Sequence, residues 1–458
     1  MTRRRSTERG RDNPFPAHVE GDTGVEVDKR GGTVEEPTTD TDDTGQGGVP
    51  ARHRALIDAL RDAGRIATPR VEAAFRAIPR HLFLPDVPLD TAYADDAIPT
   101  KERDGVAISS SSQPTVMAVM LEQLDLQPGQ RILEVGAGTG YNAALMAHIV
   151  GDTGRVVAVD IDDDIVADAR AHVAAAGVDT VEVVRGDGAD GYPDAAPYDR
   201  IILTVAAWDI APAWVAQLKP GGRLLLPLAL QGNVQKLVAF ERAGDHLVSV
   251  SVRDGGFMPL RGAWAAPEMH LSLSPEPGLS LGLGSPRAVD ADAVYAFLAG
   301  PSRAWPTPVR ADARDLWGGI SLWLALHAPA MCGLTAIGDG AGRAIVSDMF
   351  AISPTYRATV GLLGPTALCV LTRPDDHESA LGQAADDGSL EVWVRSFGAG
   401  DDLAHSLIGY LAAWEAAGRP STPGLRIRAY PSGAAPVAGV DGMMIAKGRT
   451  RLVLDWPP

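Results

Sequence analysis

Between Arg131 and Leu228 the chain alternates short apolar runs with helical patterns, and no other feature narrows its possible folds as much. RILEV leads to YNAALMAHIV, RVVAVDI to DIVADARAHVAAAG, VEVVRGDG to YDRIILTV, and WDIAPAWVAQL to GGRLLLPL. Apolar runs of strand length separated by helix-period segments predict an α/β fold, a parallel sheet with helices on both faces. After Leu228 the rhythm changes. QKLVAFERAGDHLVSVSV reads as two strands joined by a short turn at Ala243 to Asp245.

The rest of the chain is organised around this core. With 458 residues, 45% of them hydrophobic, it is long enough for two domains. Residues 1–50 carry one aromatic residue, Phe15, among Gly, Thr, Asp, Glu and Pro, and are expected to form a disordered tail. Helical spacing then begins, with Leu56, Ile57 and Leu60 on one face and Val71, Ala74, Phe75 and Ile78 on another, before Pro79 stops it. This first domain is expected over residues 51–268. The Pro-, Gly- and Ser-rich stretch SLSPEPGLSLGLGSPR places a linker at 269–290. A C-terminal α+β domain is expected over 291–458, with helices at DLWGGISLWLALHA and DDLAHSLIGYLAAWEAAG and strands at TALCVLT, SLEVWVRSF and RTRLVLDW.

The first strand runs straight into a glycine loop. Gly136, Gly138 and Gly140 stand where the backbone must turn tightly and let a ligand approach. Asp160 ends the next strand and is suited to accept hydrogen bonds from two ribose hydroxyls, and Asp187 in RGDGADG is placed to meet an adenine amino group. A glycine turn beside unrelated surface carboxylates is the plainer alternative for the glycines alone. Three features on successive strand ends favour a nucleoside-bearing cofactor. The spacing is GxGxG, preceded by Glu134, whereas a dinucleotide loop wants GxGxxG so that a helix end faces a pyrophosphate. A carboxylate there would repel phosphate but suits the sulfonium and amino groups of S-adenosyl-L-methionine. The sheet with its terminal hairpin fits as well, since Rossmann-like class I methyltransferases have seven strands ending in an antiparallel hairpin.

Several segments together resemble one family. IPRHLFLP, AYADDAIPTK, ISSSSQPTVMAVMLEQL, LEVGAGTGYNAALMA, GDGADGYPDAAPYDRIILTVAA and FMPLRG, in that order over about residues 52–265, resemble the protein L-isoaspartate O-methyltransferases. The resemblance implies methyl transfer from S-adenosyl-L-methionine to an aspartyl or isoaspartyl carboxylate in a peptide or protein. An already ionised oxygen nucleophile needs no strong base, so positioning carries most of the catalysis. The apolar stripe Val116, Val119, Met120 and Leu124 predicts a helix with Ser112 or Ser111 at its N-cap and Pro114 in its first turn. Amides at that helix end and a serine hydroxyl would hold the acceptor carboxylate, with Ser109, Ser110 and Gln113 lining the approach. A simple cap followed by a loop is the alternative for any single serine. Asp95 either orients the peptide backbone or is a solvated loop carboxylate. Thr204, Ala206 and Ala207 are expected to border the cofactor, and His81 and His148 to be structural. The sequence departs from the family where five residues, four of them serines, separate Ile108 from Pro114.

The layout as a whole also resembles the isoaspartyl-type methyltransferases of lanthipeptide and graspetide biosynthesis. That resemblance implies methylation of an ordinary aspartate in a ribosomally made peptide, followed by closure to an aspartimide. Trp317, Trp323, Trp393 and Trp414 would then offer a peptide groove, core packing being their plainer role. General repair of isoaspartate is the second reading, and a non-catalytic scaffold the third. The formal net charge of −17, from 58 acidic and 41 basic residues, speaks against a nucleic-acid or acidic-membrane partner. Cys332 and Cys369 alone supply neither a disulfide framework nor a metal site, and with no secretory signal or apolar run of spanning length a cytoplasmic location is expected.

Overall fold

The computed structural model describes residues 48–457 except 104–105, 233, 268–269, 274–277, 286, 338–347, 354–355, 375–388 and 435–441. The expected tail, residues 1–50, lies outside the described residues but for its last three, which open the first helix.

Helices α1 (Gly48–Asp62) and α2 (Pro69–Ala77) bury Leu56, Ile57 and Leu60, and Val71, Ala74 and Phe75, as their spacing predicts. Ile78 ends α2 in extended backbone, the conformation that the following Pro79 favours. A single 3-10 turn (Arg80–Phe83), the one-turn α3 (Leu89–Ala92) and the antiparallel pair β1 (Ile98–Arg103) and β2 (Val106–Ser111) lead to α4 (Pro114–Leu124).

The parallel core follows. Strands β3 (Arg131–Val135), β4 (Arg155–Asp160), β5 (Val181–Arg185), β6 (Tyr198–Leu203) and β7 (Leu218–Ala229) are crossed by α5 (Tyr141–Val150), α6 (Asp163–Ala175) and α7 (Pro212–Gln217). The hairpin of β8 (Gln235–Ala243) and β9 (His246–Asp254) turns at Ala243 and His246, as expected. These seven strands lie in the order β9-β8-β7-β6-β3-β4-β5. The chain runs outward from β3 in one direction and from β6 in the other, so the loops after β3 and β6 part and leave a crevice at their carboxyl ends.

The remainder departs from expectation. The described residues of 269–290 do not form a linker: β10 (His270–Ser272) and β11 (Leu279–Leu283) lie there, and Leu279, Leu281 and Leu283 are buried. Their alternation inside GLSLGLG is a period-2 strand signal that the surrounding Gly, Pro and Ser mask. After α8 (Ala291–Ala299) come β12 (Ser302–Ala311), α9 (Ser321–His327), β13 (Met331–Ile337), β14 (Phe350–Ser353), β15 (Tyr356–Leu363), β16 (Ala367–Thr372), β17 (Leu390–Gly398) and α10 (Asp401–Ala416). The second sheet is antiparallel, in the order β10-β11-β13-β15-β16-β17-β12 with β14 on β15, so this module is richer in strand than a balanced α+β domain.

Nor is 291–458 one separate unit. Strands β18 (Arg426–Pro431), β19 (Met443–Ala446) and β20 (Thr450–Asp455) return to the first sheet, where β18 pairs with β9 and extends seven strands to ten. The hairpin is therefore not terminal. Leu226 and Phe240 of the first sheet, Val392 and Val394 of the second, and Leu411 and Trp414 of α10 belong to a single buried cluster. A chain ended after residue 268 would bare the β9 edge and half of this core. It is expected to be insoluble or to melt more than roughly 10 °C below the full chain in a circular dichroism melt.

Candidate active site

The crevice at the end of β3 and β6 is a cavity of about 400 Å³. One side is built by the glycine loop. Gly136, Gly138 and Gly140 have φ of +97°, +51° and +85°, which glycine adopts readily and other residues rarely do. A Cβ on Gly136 would come within 2.7 Å of Thr204 Oγ1, so the loops after β3 and β6 touch backbone to side chain.

Two carboxylates face this side. Glu134, wholly buried in β3, accepts a hydrogen bond from Asn142 Nδ2 at 2.7 Å through Oε1, while its Oε2 has no partner. Burial pushes its carboxyl up to about 8. Asp160 accepts hydrogen bonds from the Gly138 amide at 3.2 Å and the Ile161 amide at 2.8 Å, and burial raises it above the ordinary carboxylate range despite them. Asp187 does something different from what its position suggests. Its oxygens accept from Ala189 N at 3.0 Å and Ala263 N at 2.8 Å, and it is not in the cavity wall, which its neighbour Gly188 joins. It holds the 262–263 turn instead of presenting its carboxylate to the cavity.

The serine segment borders the same cavity, with the Ser110 carbonyl oxygen 3.4 Å from where a Cβ on Gly138 would stand. Ser109 to Ser111 lie on β2, and the N-cap of α4 is Gln113, whose own side chain does not cap the helix amides, so neither Ser111 nor Ser112 caps the helix. Asp95 supplies the capping interaction from a distance: Thr115 N and Thr115 Oγ1 donate to its oxygens at 2.8 and 2.6 Å, and Gln113 Nε2 donates to its backbone oxygen at 2.9 Å. With its carboxylate committed there, Asp95 supports the start of α4 and is not in the cavity wall. All four serines line the cavity. Ser109 Oγ accepts from Thr100 Oγ1 and Ser111 Oγ lies 3.4 Å from Arg80 Nη2, whereas the Ser110 and Ser112 hydroxyls are half-buried and make no side-chain hydrogen bond among the described residues.

Arg80, which sequence reasoning missed, sets this segment's geometry. It is fully buried, and its guanidinium donates to the backbone oxygens of Ala92, Ala94, Asp96 and Ser112 at 2.9 to 3.1 Å. Burial pushes it down to about 10, still protonated at neutral pH. The only hint was its place in IPRHLFLP, because carbonyl partners 12 to 32 residues away leave no side-chain pattern. Across the cavity mouth, Lys101 Nζ and Arg261 Nη2 both donate to Asp162 Oδ2 at 3.0 Å, tying β1 to the loops after β4 and β9.

Thr204 borders the cavity as expected, but Ala206 and Ala207 spend their backbones on pairing with the 258–260 segment and with β7. His81 bonds the Tyr93 hydroxyl and His148 is exposed, both away from the cavity. None of the four tryptophans lines it. Trp414 is wholly buried, its Nε1 donating to the Pro420 carbonyl, which is the plainer role. No cluster of three potential metal ligands occurs among the described residues.

A family model described as protein-L-isoaspartate(D-aspartate) O-methyltransferase matches residues 51–263. A protein-L-isoaspartate O-methyltransferase 2 from Archaeoglobus fulgidus is 41% identical over 216 residues, which take up 46% of this chain and 94% of the relative. The chain belongs to the protein-L-isoaspartate O-methyltransferase family. A second relative bearing that name, from Methanopyrus kandleri, is 40% identical over 46% of this chain and 92% of its own length. A solved protein-L-isoaspartate O-methyltransferase structure is 24% identical, with a TM-score of 0.45, over 82% of this chain and 96% of its own.

The residues of this methyltransferase fit S-adenosyl-L-methionine. Glu134 Oε2, a buried acceptor without a donor in the cavity wall, matches an amino group, Asp160 matches ribose hydroxyls, and the left-handed glycines leave room for a ligand against the backbone. When bound, the cofactor supplies a methyl group on a sulfonium, open to in-line displacement. Because folding raises the Glu134 pKa from 4.5 to about 8, the native state binds its proton more tightly, and cofactor-free stability falls as pH rises through that window. Glu134→Gln is expected to flatten this decline and raise the melting midpoint near pH 8 by a few degrees. The same variant should lose on the order of ten-fold or more in cofactor affinity by calorimetric titration.

Proposed function

We propose that the protein methylates the free carboxylate of L-isoaspartyl residues in peptides or proteins, as a repair enzyme does. The observation that carries this reading is the cavity's mixed lining. Buried carboxylates line the cavity together with the Ser110 and Ser112 hydroxyls, which have no hydrogen-bond partner among the described residues. Hydroxyl donors suit a carboxylate acceptor, and that acceptor is ionised at neutral pH and needs no base. Arg80, through the Ser112 carbonyl, sets where those hydroxyls stand, so positioning does most of the work. The product ester loses methanol when the next backbone nitrogen attacks its carbonyl, and water opens the resulting imide to aspartate or isoaspartate.

The narrower reading, tailoring of a ribosomally made peptide at an ordinary aspartate, draws no support from the relatives, whose names all point to isoaspartate. Repair of isoaspartate fits them better. Two peptides of one sequence, differing only in an aspartyl or isoaspartyl linkage, distinguish the readings when methyl transfer is followed by mass spectrometry. The isoaspartyl form is expected to react at least on the order of a hundred-fold faster. Equal rates, or preference for the aspartyl form, would favour tailoring. Ser112→Ala is expected to lower kcat/KM on the isoaspartyl peptide roughly ten-fold, chiefly through KM, with cofactor affinity unchanged.

A further inference from the structure

The cavity extends beyond the residues that the family model matches. Ile337 and Tyr356, from the second sheet, stand in its wall together with Ser109 to Ser112. They face each other as the last register pair of β13 and β15. The position of Ile337 is set by its backbone: its amide donates to the Gly278 carbonyl at 2.8 Å, and Gly278 has a φ of +81°. A Cβ at Gly278 would meet the Ile337 carbonyl at 2.2 Å, so this contact admits only glycine. Tyr356 is buried, but the Ile337 side chain is 42% exposed, one of three large apolar side chains so exposed among the described residues. An apolar side chain held open at a cavity mouth has its burial still to gain when a ligand arrives.

The family model ends at residue 263, and the alignment takes up 94% of the Archaeoglobus relative. Too little of that relative remains to hold a second sheet, so this wall is an addition relative to it.

We propose that Ile337, backed by Tyr356, is a specificity-determining residue that selects isoaspartyl substrates carrying an apolar side chain next to the isoaspartyl residue. The carboxylate docks at the serine end, and the neighbouring side chain lies against Ile337. Pro99, Ala107 and Ile108 make the wall beside the serines apolar too, so a charged neighbour loses solvation there without gaining a partner. The inference rests on the isoaspartyl reading above and adds the sequence context that this chain accepts.

The test uses the full chain and a set of isoaspartyl peptides that differ only in a flanking Leu, Lys or Glu, placed on either side. Methylation is measured as kcat/KM. Binding is measured separately by fluorescence anisotropy in the presence of S-adenosyl-L-homocysteine, so that no turnover is needed. The wild-type protein is expected to favour the Leu peptide on the order of ten-fold over the Glu peptide. Ile337→Glu should lose that preference and favour Lys, Ile337→Lys should favour Glu, and Ile337→Val should keep the wild-type order. Affinity for S-adenosyl-L-methionine should stay unchanged in all three. Two opposite charges at one exposed position guard against a trivial folding defect. If both charged variants keep the wild-type order of peptides, the selecting wall is overturned while the isoaspartyl reading stands. If the wild-type protein methylates none of the isoaspartyl peptides, the reading itself fails and the wall with it.

Discussion

An open strand edge is what the rest of this structure answers to. Strand β9 closes the hairpin of the first sheet, and left uncovered it would offer a row of unpaired backbone groups to any passing strand. The chain covers it with its own β18, through the pairs Val248 with Arg428 and Leu247 with Ala429 and a hydrogen bond from the Ile427 amide to Ser249 Oγ at 2.8 Å. The Lys236 ammonium, almost fully buried, fastens the same junction by donating to Asp254 Oδ1 at 2.5 Å and to Thr422 Oγ1 at 2.8 Å. A buried ammonium is tolerated only where such partners replace water. Because the last strands must return to β9, the second sheet is held as a long excursion from the first. Its β13 and β15 ends come to rest at the cleft.

The cleft itself sets two electrostatic regimes side by side. Glu134 and Asp160 are buried carboxylates whose charged forms burial disfavours. Such a site suits a ligand that brings hydrogen-bond donors and positive charge. The serine segment offers neutral hydroxyls, Arg80 beneath it is spent on carbonyls, and Arg261 and Lys101 are paired with Asp162. On the proposed reading, a carboxylate acceptor would be held by hydroxyls and geometry and stay nucleophilic, where a salt bridge would quench it.

What could be read from the sequence was local. The GxGxG loop, the carboxylate ending β4 and the hairpin turn each depend on neighbours within a few residues, and each stands where its spacing predicts. The features misread depend on distance. Ser111 and Ser112 resemble a helix cap because Pro114 opens α4, yet the cap interaction comes from Asp95, twenty residues before Thr115. Arg80 binds carbonyls, which carry no residue identity. RTRLVLDW is legible as a strand, but nothing in it names the sheet it joins, since pairing partners are chosen by the whole fold. In GLSLGLG the alternating leucines were outweighed by the glycines around them.

The central claim is that two sheets of one chain make one acceptor cleft. Hydrogen–deuterium exchange of the full-length protein, with and without an isoaspartyl peptide in the presence of S-adenosyl-L-homocysteine, tests it directly. Added peptide is predicted to slow exchange both in the serine segment, residues 109–112, and in the β13 end, residues 331–337. Protection confined to residues 51–263 would contradict the account.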